Sequence, residues 1–274
     1  MLHPAISYTR ITKVQDTIIT ATEDALAAEE PLEIRLVHGP LHDRQQQSIT
    51  VTMRTPGQDK ELAGGFLFTE GIIRSQQDIT EINSDLENVV TVTLQESVVP
   101  ILQSAQRNFF ANSGCGVCGK TDITSIYAPV EKHVTQEIIE CKASLLIQLP
   151  DLLREQQAIF EDTGGLHAAA LFNNEGNLLI MREDIGRHNA VDKLVGAALQ
   201  ESLFPLKHYI LLLSGRAGFE LIQKAAMAGI KMIAAVGAPS SMAVKMAREW
   251  DITLVGFLRQ QRFNIYTGEQ RIVV

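Results

Sequence analysis

Hydrophobic positions follow two different registers along this 274-residue chain. In the first hundred or so residues they alternate with polar ones. Residues 33–37 and 48–54 carry the every-second-residue spacing of strands with one buried face, and Thr55-Pro56-Gly57 closes the second as a turn. Residues 61–71 read as a helix with Leu62 and Phe66 on its apolar face, although Gly64 and Gly65 disfavour helix in isolation. Residues 89–94 return as a strand of β-branched side chains.

From residue 150 the register changes to alternating helices and continuous apolar strands. Pro150 suits the first turn of a helix whose Leu152, Leu153, Gln156, Ile159 and Phe160 share a face and which ends near Gly164. Residues 168–172 and 178–181, joined by the turn 173–176, read as a hairpin. Val191, Leu194, Val195 and Ala198 predict one helix face, and Ile222, Ala225, Ala226 and Gly229 a second. Residues 209–213, 232–236 and 253–257 predict buried strands. Ser240 or Ser241 caps a helix carrying Met242, Met246 and Trp250. The order predicts an α/β fold, a layered sheet with helices on its faces. A smaller N-terminal α/β domain over 1–107 precedes a larger domain over 108–274. Residues 103–126 have no periodicity and are expected to form an exposed loop at the junction.

Hydrophobic residues make up 45% and charged residues 20%, ordinary values for a globular protein. A formal net charge of −8 and a pI near 5.4 argue against a broad nucleic-acid-binding surface, which would be basic. No apolar run is long enough to span a bilayer and the N-terminus lacks a signal-peptide core, so no membrane association is expected and the cytoplasm is the simplest location. Three cysteines cannot build a disulfide framework, and a reducing compartment would keep them as thiols.

Two of those cysteines lie in Ser113-Gly-Cys-Gly-Val-Cys-Gly-Lys120. Cys115 and Cys118 are set among glycines that let a partner approach, and Lys120 favours the thiolate, the form that reacts. Structural zinc needs a second Cys or His pair, and Cys141 stands alone while the seven histidines are scattered. A thioredoxin-like redox site expects the motif early in a compact βαβ unit, and this one lies mid-chain. A pair without a role, and a carrier thiol that forms a covalent sulfur intermediate and passes it on, complete the alternatives.

A second constellation follows the central strands, where helix N-termini offer N–H groups to anions. Leu213-Ser-Gly-Arg-Ala-Gly218 supplies Ser214, Gly215 and Arg216, and Val236-Gly-Ala-Pro-Ser-Ser241 supplies Ser240; each alone also reads as a plain strand-to-helix connection. After the third strand comes Phe257-Leu-Arg-Gln-Gln-Arg262, whose Arg259 and Arg262 suit bidentate phosphate contacts. Neither turn is a nucleotide-hydrolysing loop, but a phosphate-bearing cofactor fits. The cluster 182–193 reads either as a solvated helix start or as a site in which Asp184 and His188 assist proton transfer, and His167 as a hydrogen-bonded histidine.

These blocks, SGCGVCGK, TGGLHAAALF, REDIGRHNAVDK, LLLSGRAGFELIQKAAMAGI and GFLRQQRFNIY, resemble the formate dehydrogenase accessory sulfurtransferase (FdhD) family over nearly the whole chain. The resemblance implies a cytidine-deaminase-like layered α/β/α C-terminal domain that carries the cysteine loop and cofactor site. It also implies a protein that takes persulfide sulfur from a cysteine desulfurase and delivers it to molybdenum bis(molybdopterin guanine dinucleotide), for insertion into formate dehydrogenase. Cys115 would carry the persulfide, Cys118 would be an accessory thiol, and Phe257, Leu258, Arg259, Gln260, Gln261 and Arg262 would bind the cofactor; a homodimer is compatible with this role. A zinc deaminase is the rival invited by the fold, but Ala169 stands where H-x-E needs its acid, and Gly114 where the cysteine pair needs proline. A chaperone that binds the cofactor without transferring sulfur shares every residue except the thiols.

Overall fold

The computed structural model describes residues 4–102 and 139–274. The alternating N-terminal register folds into a four-stranded sheet in the order β4 (Gln45–Arg54), β3 (Glu30–His38), β6 (Val89–Leu94), β5 (Ile79–Leu86), in which β3 and β6 are parallel and the outer pairs antiparallel. Leu32, Ile34 and Leu36 of β3 and Val90, Val92 and Leu94 of β6 are buried at every second position, as the spacing predicts. Two strands ahead of this sheet, β1 (Ile6–Gln15) and β2 (Ile18–Ala27), pair only with each other. Nearly all of their residues are exposed on both faces, so no period-2 pattern marks them in the sequence.

The second register forms a six-stranded mixed sheet in the order β13 (Arg262–Thr267), β12 (Thr253–Arg259), β11 (Met232–Ala235), β10 (Ile210–Leu213), β8 (His167–Phe172), β9 (Leu178–Asp184). The strands β10, β11 and β12 are parallel; β8 runs against β10, β9 against β8 and β13 against β12. Its inner strands β10 and β11 read as unbroken apolar runs because both faces are covered. Ala169, Leu171, Leu211, Leu213 and Ile233 pack towards α5 (Arg187–Gln200), α6 (Phe219–Met227) and α7 (Ser241–Glu249). Ala168, Ala170, Phe172, Ile210 and Leu212 pack with Leu146, Leu149 and Leu153 of α2 (Ala143–Leu146) and α3 (Leu149–Arg154). Ser240 caps α7, its Oγ accepting from Ala243 N at 3.1 Å.

The helix expected from Pro150 to Gly164 is two short helices, α3 and α4 (Ala158–Thr163), with Gly164 in the left-handed conformation ending the second. Gln157 leaves helical geometry between them at φ −83°, ψ 66°. The cause comes from another strand. Glu183 of β9 is buried, and its Oε1 accepts from Phe160 N at 3.3 Å, satisfying an amide that a continuous helix would have bonded internally.

Gly64 and Gly65 fall inside α1 (Asp59–Thr69), and tertiary packing explains the cost. A Cβ on Gly65 would sit 1.8 Å from the carbonyl oxygen of Asp192 in α5, and one on Gly196 would sit 1.9 Å from that of Glu61 in α1. The two glycines let the helix backbones touch, and the close crossing joins the two sheets. One apolar core runs from Leu32, Ile34 and Leu36 on β3, through Leu62 and Leu67 of α1, to Val191 and Leu194 of α5 and on to Ile233. The expected division between residues 107 and 108 lies outside the described residues, as does the loop expected over 103–126.

Candidate functional site

The parallel strands β10, β11 and β12 end at one edge of the sheet, and because β8 runs against them it begins there, at His167. The two glycine turns expected at this edge are stacked side by side. Gly237 N donates to Gly215 O at 3.0 Å, Ser240 N to Ala217 O at 3.0 Å and Phe257 N to Gly237 O at 3.1 Å. A Cβ on Gly237 would lie 2.9 Å from Gly215 O, so only glycine allows this approach. Ser214 stitches the first turn to β8: its Oγ accepts from Ala168 N at 2.8 Å and its N donates to Ala168 O at 3.0 Å.

The strand expected to stop at residue 257 continues to Arg259 and turns back through Gln260 and Gln261 into β13. A break in register after Gly256 accommodates Phe257 at φ +52°, and Arg259 pairs with Arg262 across the turn. Gln260 Nε2 lies 3.2 and 3.4 Å from the two carboxylate oxygens of Asp151, tying the hairpin tip to α3.

Between this hairpin, α3, α4 and the sheet edge lies a cavity of about 970 Å³. Of the residues singled out in the sequence, Ser214, Leu258, Arg259, Gln260, Gln261 and Arg262 line it. Gly215, Arg216, Ser240 and Phe257 do not, although Gly215 and Ser240 build the turns beside it. Asp151, Arg154, Phe160 and His167 complete much of the wall. In the sequence Phe160 stands out only as part of a helical face and His167 as a hydrogen-bonded histidine, while nothing marks Asp151 or Arg154. Arg154 adds a third guanidinium to those of Arg259 and Arg262, a concentration of positive charge that runs against the acidic chain as a whole. Burial pushes the His167 imidazole below its ordinary range, and the nearby Arg187 and His188 push the same way against Asp184. His167 therefore faces the cavity region as a neutral ring at pH 7.

The cluster over 182–193 is packed rather than solvated. Asp184 and Lys193 are both fully buried and lie 2.7 Å apart. Asp184 also accepts from Thr55 N, Gly186 N and Asn189 Nδ2, while Lys193 donates to Thr55 O, so the turn that starts α5 is fastened to the end of β4. His188 Nε2 lies 2.7 Å from Glu220 Oε2. One turn along, Lys224 pairs with Asp192 at 3.0 Å and Glu70 at 3.2 Å; burial alone would lower it, but these two carboxylates hold the ammonium above its usual range.

Cys115 and Cys118 lie outside the described residues. Cys141 is described, buried in β7 (Cys141–Lys142) beside β14 (Ile272–Val273), and burial pushes its thiol up to about 11. It is a packing residue at neutral pH, because the thiolate is the reactive form. Alkylation of the native protein with iodoacetamide at about pH 7.5 is accordingly expected to leave Cys141 unmodified until denaturant is added. Peptide mass spectrometry reads this directly, and prompt native labelling would contradict it. Among the described residues no cluster of three His, Cys, Asp or Glu side chains could hold a metal ion, and no helix is long and apolar enough to cross a membrane.

Residues 27–273 match the FdhD/NarQ family. A sulfur carrier protein FdhD from Streptomyces avermitilis is 46% identical over 275 residues, covering 97% of this chain and 95% of that one. One from Saccharolobus solfataricus is 40% identical over 262 residues, covering 96% of each. The crystal structure of a protein from Desulfotalea psychrophila, described as a formate dehydrogenase accessory protein, superposes with a TM-score of 0.74 at 22% identity, over 98% of this chain and all of that one, and so shares the fold. The chain belongs to the FdhD/NarQ family.

Proposed function

We propose that this protein is a sulfur carrier for formate dehydrogenase maturation. It accepts sulfur from a cysteine desulfurase as a persulfide on Cys115 and hands it to the molybdenum of a bis(molybdopterin guanine dinucleotide) substrate. In the loading step the Cys115 thiolate attacks the terminal sulfur of the donor's persulfide, the donor's S–S bond breaks, and its cysteine leaves as a thiolate. Cys118 serves as an accessory thiol. The protein acts in the cytoplasm, where thiols stay reduced, and on this reading its C-terminal domain is a variant of the deaminase-like fold. The relatives named as sulfur carriers support the transfer role.

The observation that carries the substrate half is the cavity. Arg154, Arg259 and Arg262 line a space of about 970 Å³ beside glycine turns whose backbones approach one another closely. Arginine pairs with phosphate oxygens in bidentate fashion, and a dinucleotide brings a pyrophosphate. The alternative within the same geometry is a cofactor chaperone that transfers no sulfur. Incubation with an active desulfurase and isotopically labelled cysteine decides between them. A reductant-labile extra sulfur is expected on the Cys115 peptide and not in Cys115→Ser; no labelled sulfur on any cysteine would select the chaperone.

A further inference from the structure

Among the described residues that line the cavity, Asp151 is the one carboxylate, set with the guanidiniums of Arg154, Arg259 and Arg262. A negative charge there weakens the hold on a polyanion unless it meets donors elsewhere on the same ligand. Gln260 Nε2 lies across the carboxylate, 3.2 Å from Oδ2 and 3.4 Å from Oδ1. A carboxylate has about four acceptor positions on its two oxygens, so this single amide leaves capacity for two further donors. Apolar and aromatic surface lies on the same wall, from Pro150, Leu153 and the half-buried Phe160. A ligand that satisfies all three features has phosphates, a flat ring and a pair of adjacent N–H donors.

We propose that Asp151 is the residue that selects guanine in this cavity, an assignment that rests on the nucleotide reading above. Guanine presents N1–H and its exocyclic amine side by side, the donor pair that a carboxylate accepts with its two oxygens. Hypoxanthine keeps N1–H and lacks the amine. Adenine offers an N1 lone pair in place of the N–H, which would face the carboxylate as acceptor against acceptor. A site built to accept a donor pair rejects an analogue that lacks it, because its own polar groups are left unpaired. The guanidiniums supply affinity for phosphate without regard to the base, so the two contributions separate experimentally.

Calorimetric titration of the full chain with GDP, IDP, ADP and inorganic pyrophosphate tests the assignment, with wild type, Asp151→Asn and Asp151→Ala compared at one ionic strength. Wild type is expected to prefer GDP over ADP by at least about tenfold, with IDP between them. Both variants are expected to bind the three nucleotides within about threefold of one another. They should bind pyrophosphate as tightly as wild type or more so, because a negative charge has left the cavity. Retention of the guanine preference in the variants would overturn the assignment and leave the nucleotide reading intact. A parallel loss of pyrophosphate and GDP would overturn it in another way, reducing Asp151 to a prop for the hairpin through Gln260. Failure of wild type to bind either GDP or pyrophosphate would remove the nucleotide reading and this assignment with it.

Discussion

Replacing Asp184 by alanine is expected to destabilise the protein by about 3–5 kcal/mol, the cost of stranding one member of a buried ion pair. Lys193 is fully buried at 2.7 Å from Asp184, so its ammonium would lose its counter-charge without gaining water. The same substitution also removes the acceptor of Thr55 N, Gly186 N and Asn189 Nδ2. A loss of this size is a large part of the roughly 5–15 kcal/mol that holds a typical domain. Chemical denaturation of Asp184→Ala and of Asp184→Leu/Lys193→Met measures it. The double variant removes both charges and should recover part of the loss, because no ion is then left unpaired; orphaned amides at Thr55 and Gly186 keep the recovery incomplete. If Asp184→Ala unfolds within about 1 kcal/mol of wild type, the size of an exposed pair's contribution, the buried pair does not fasten the α5 turn to β4 as described.

That pair also shows where the sequence stops being legible. Apolar runs such as 210–213 and 232–235 declare buried strands whatever surrounds them, and the glycine turns after them are readable because strand ends and glycine have fixed geometric consequences. Charge carries no such mark. The residues at 184 and 193 look in the sequence like the polar face of a helix start, and only the fold, which brings Thr55 at the end of β4 against them, shows them to be out of water. The break at Gln157 is hidden for the same reason, since the group that satisfies the start of α4 is Glu183, from a strand that follows it in the chain. The cavity is half legible. Its arginine hairpin lies in one continuous motif, whereas Asp151 and Arg154 come from helix positions whose polarity reads as ordinary solvent exposure. The resemblance to a known family supplies what residue patterns could not, an expectation for which sulfur chemistry the cysteines perform, and the match over residues 27–273 bears out the family.

The double substitution Arg259→Ala/Arg262→Ala is expected to weaken pyrophosphate and GDP binding by about 100-fold, roughly tenfold for each charge-assisted contact removed. Both residues are exposed on the β12–β13 turn and line the cavity, and neither belongs to the apolar core. The melting temperature should therefore stay close to that of wild type, which separates lost binding from lost folding. Leu258, fully buried between Phe257 and Arg259, and the Gln260 contact with Asp151 remain to hold the turn in place. The affinity of wild type should itself fall as salt rises, because these guanidiniums are solvent-accessible and their attraction for phosphate is screened over about 8 Å at physiological ionic strength. The double variant should show a shallower salt dependence. Affinity within about threefold of wild type, with the salt dependence unchanged, would mean that the phosphates are held elsewhere at the sheet edge. The glycine turn carrying exposed Arg216 would then be the next place to look, since it lies against the same strands but outside the cavity wall.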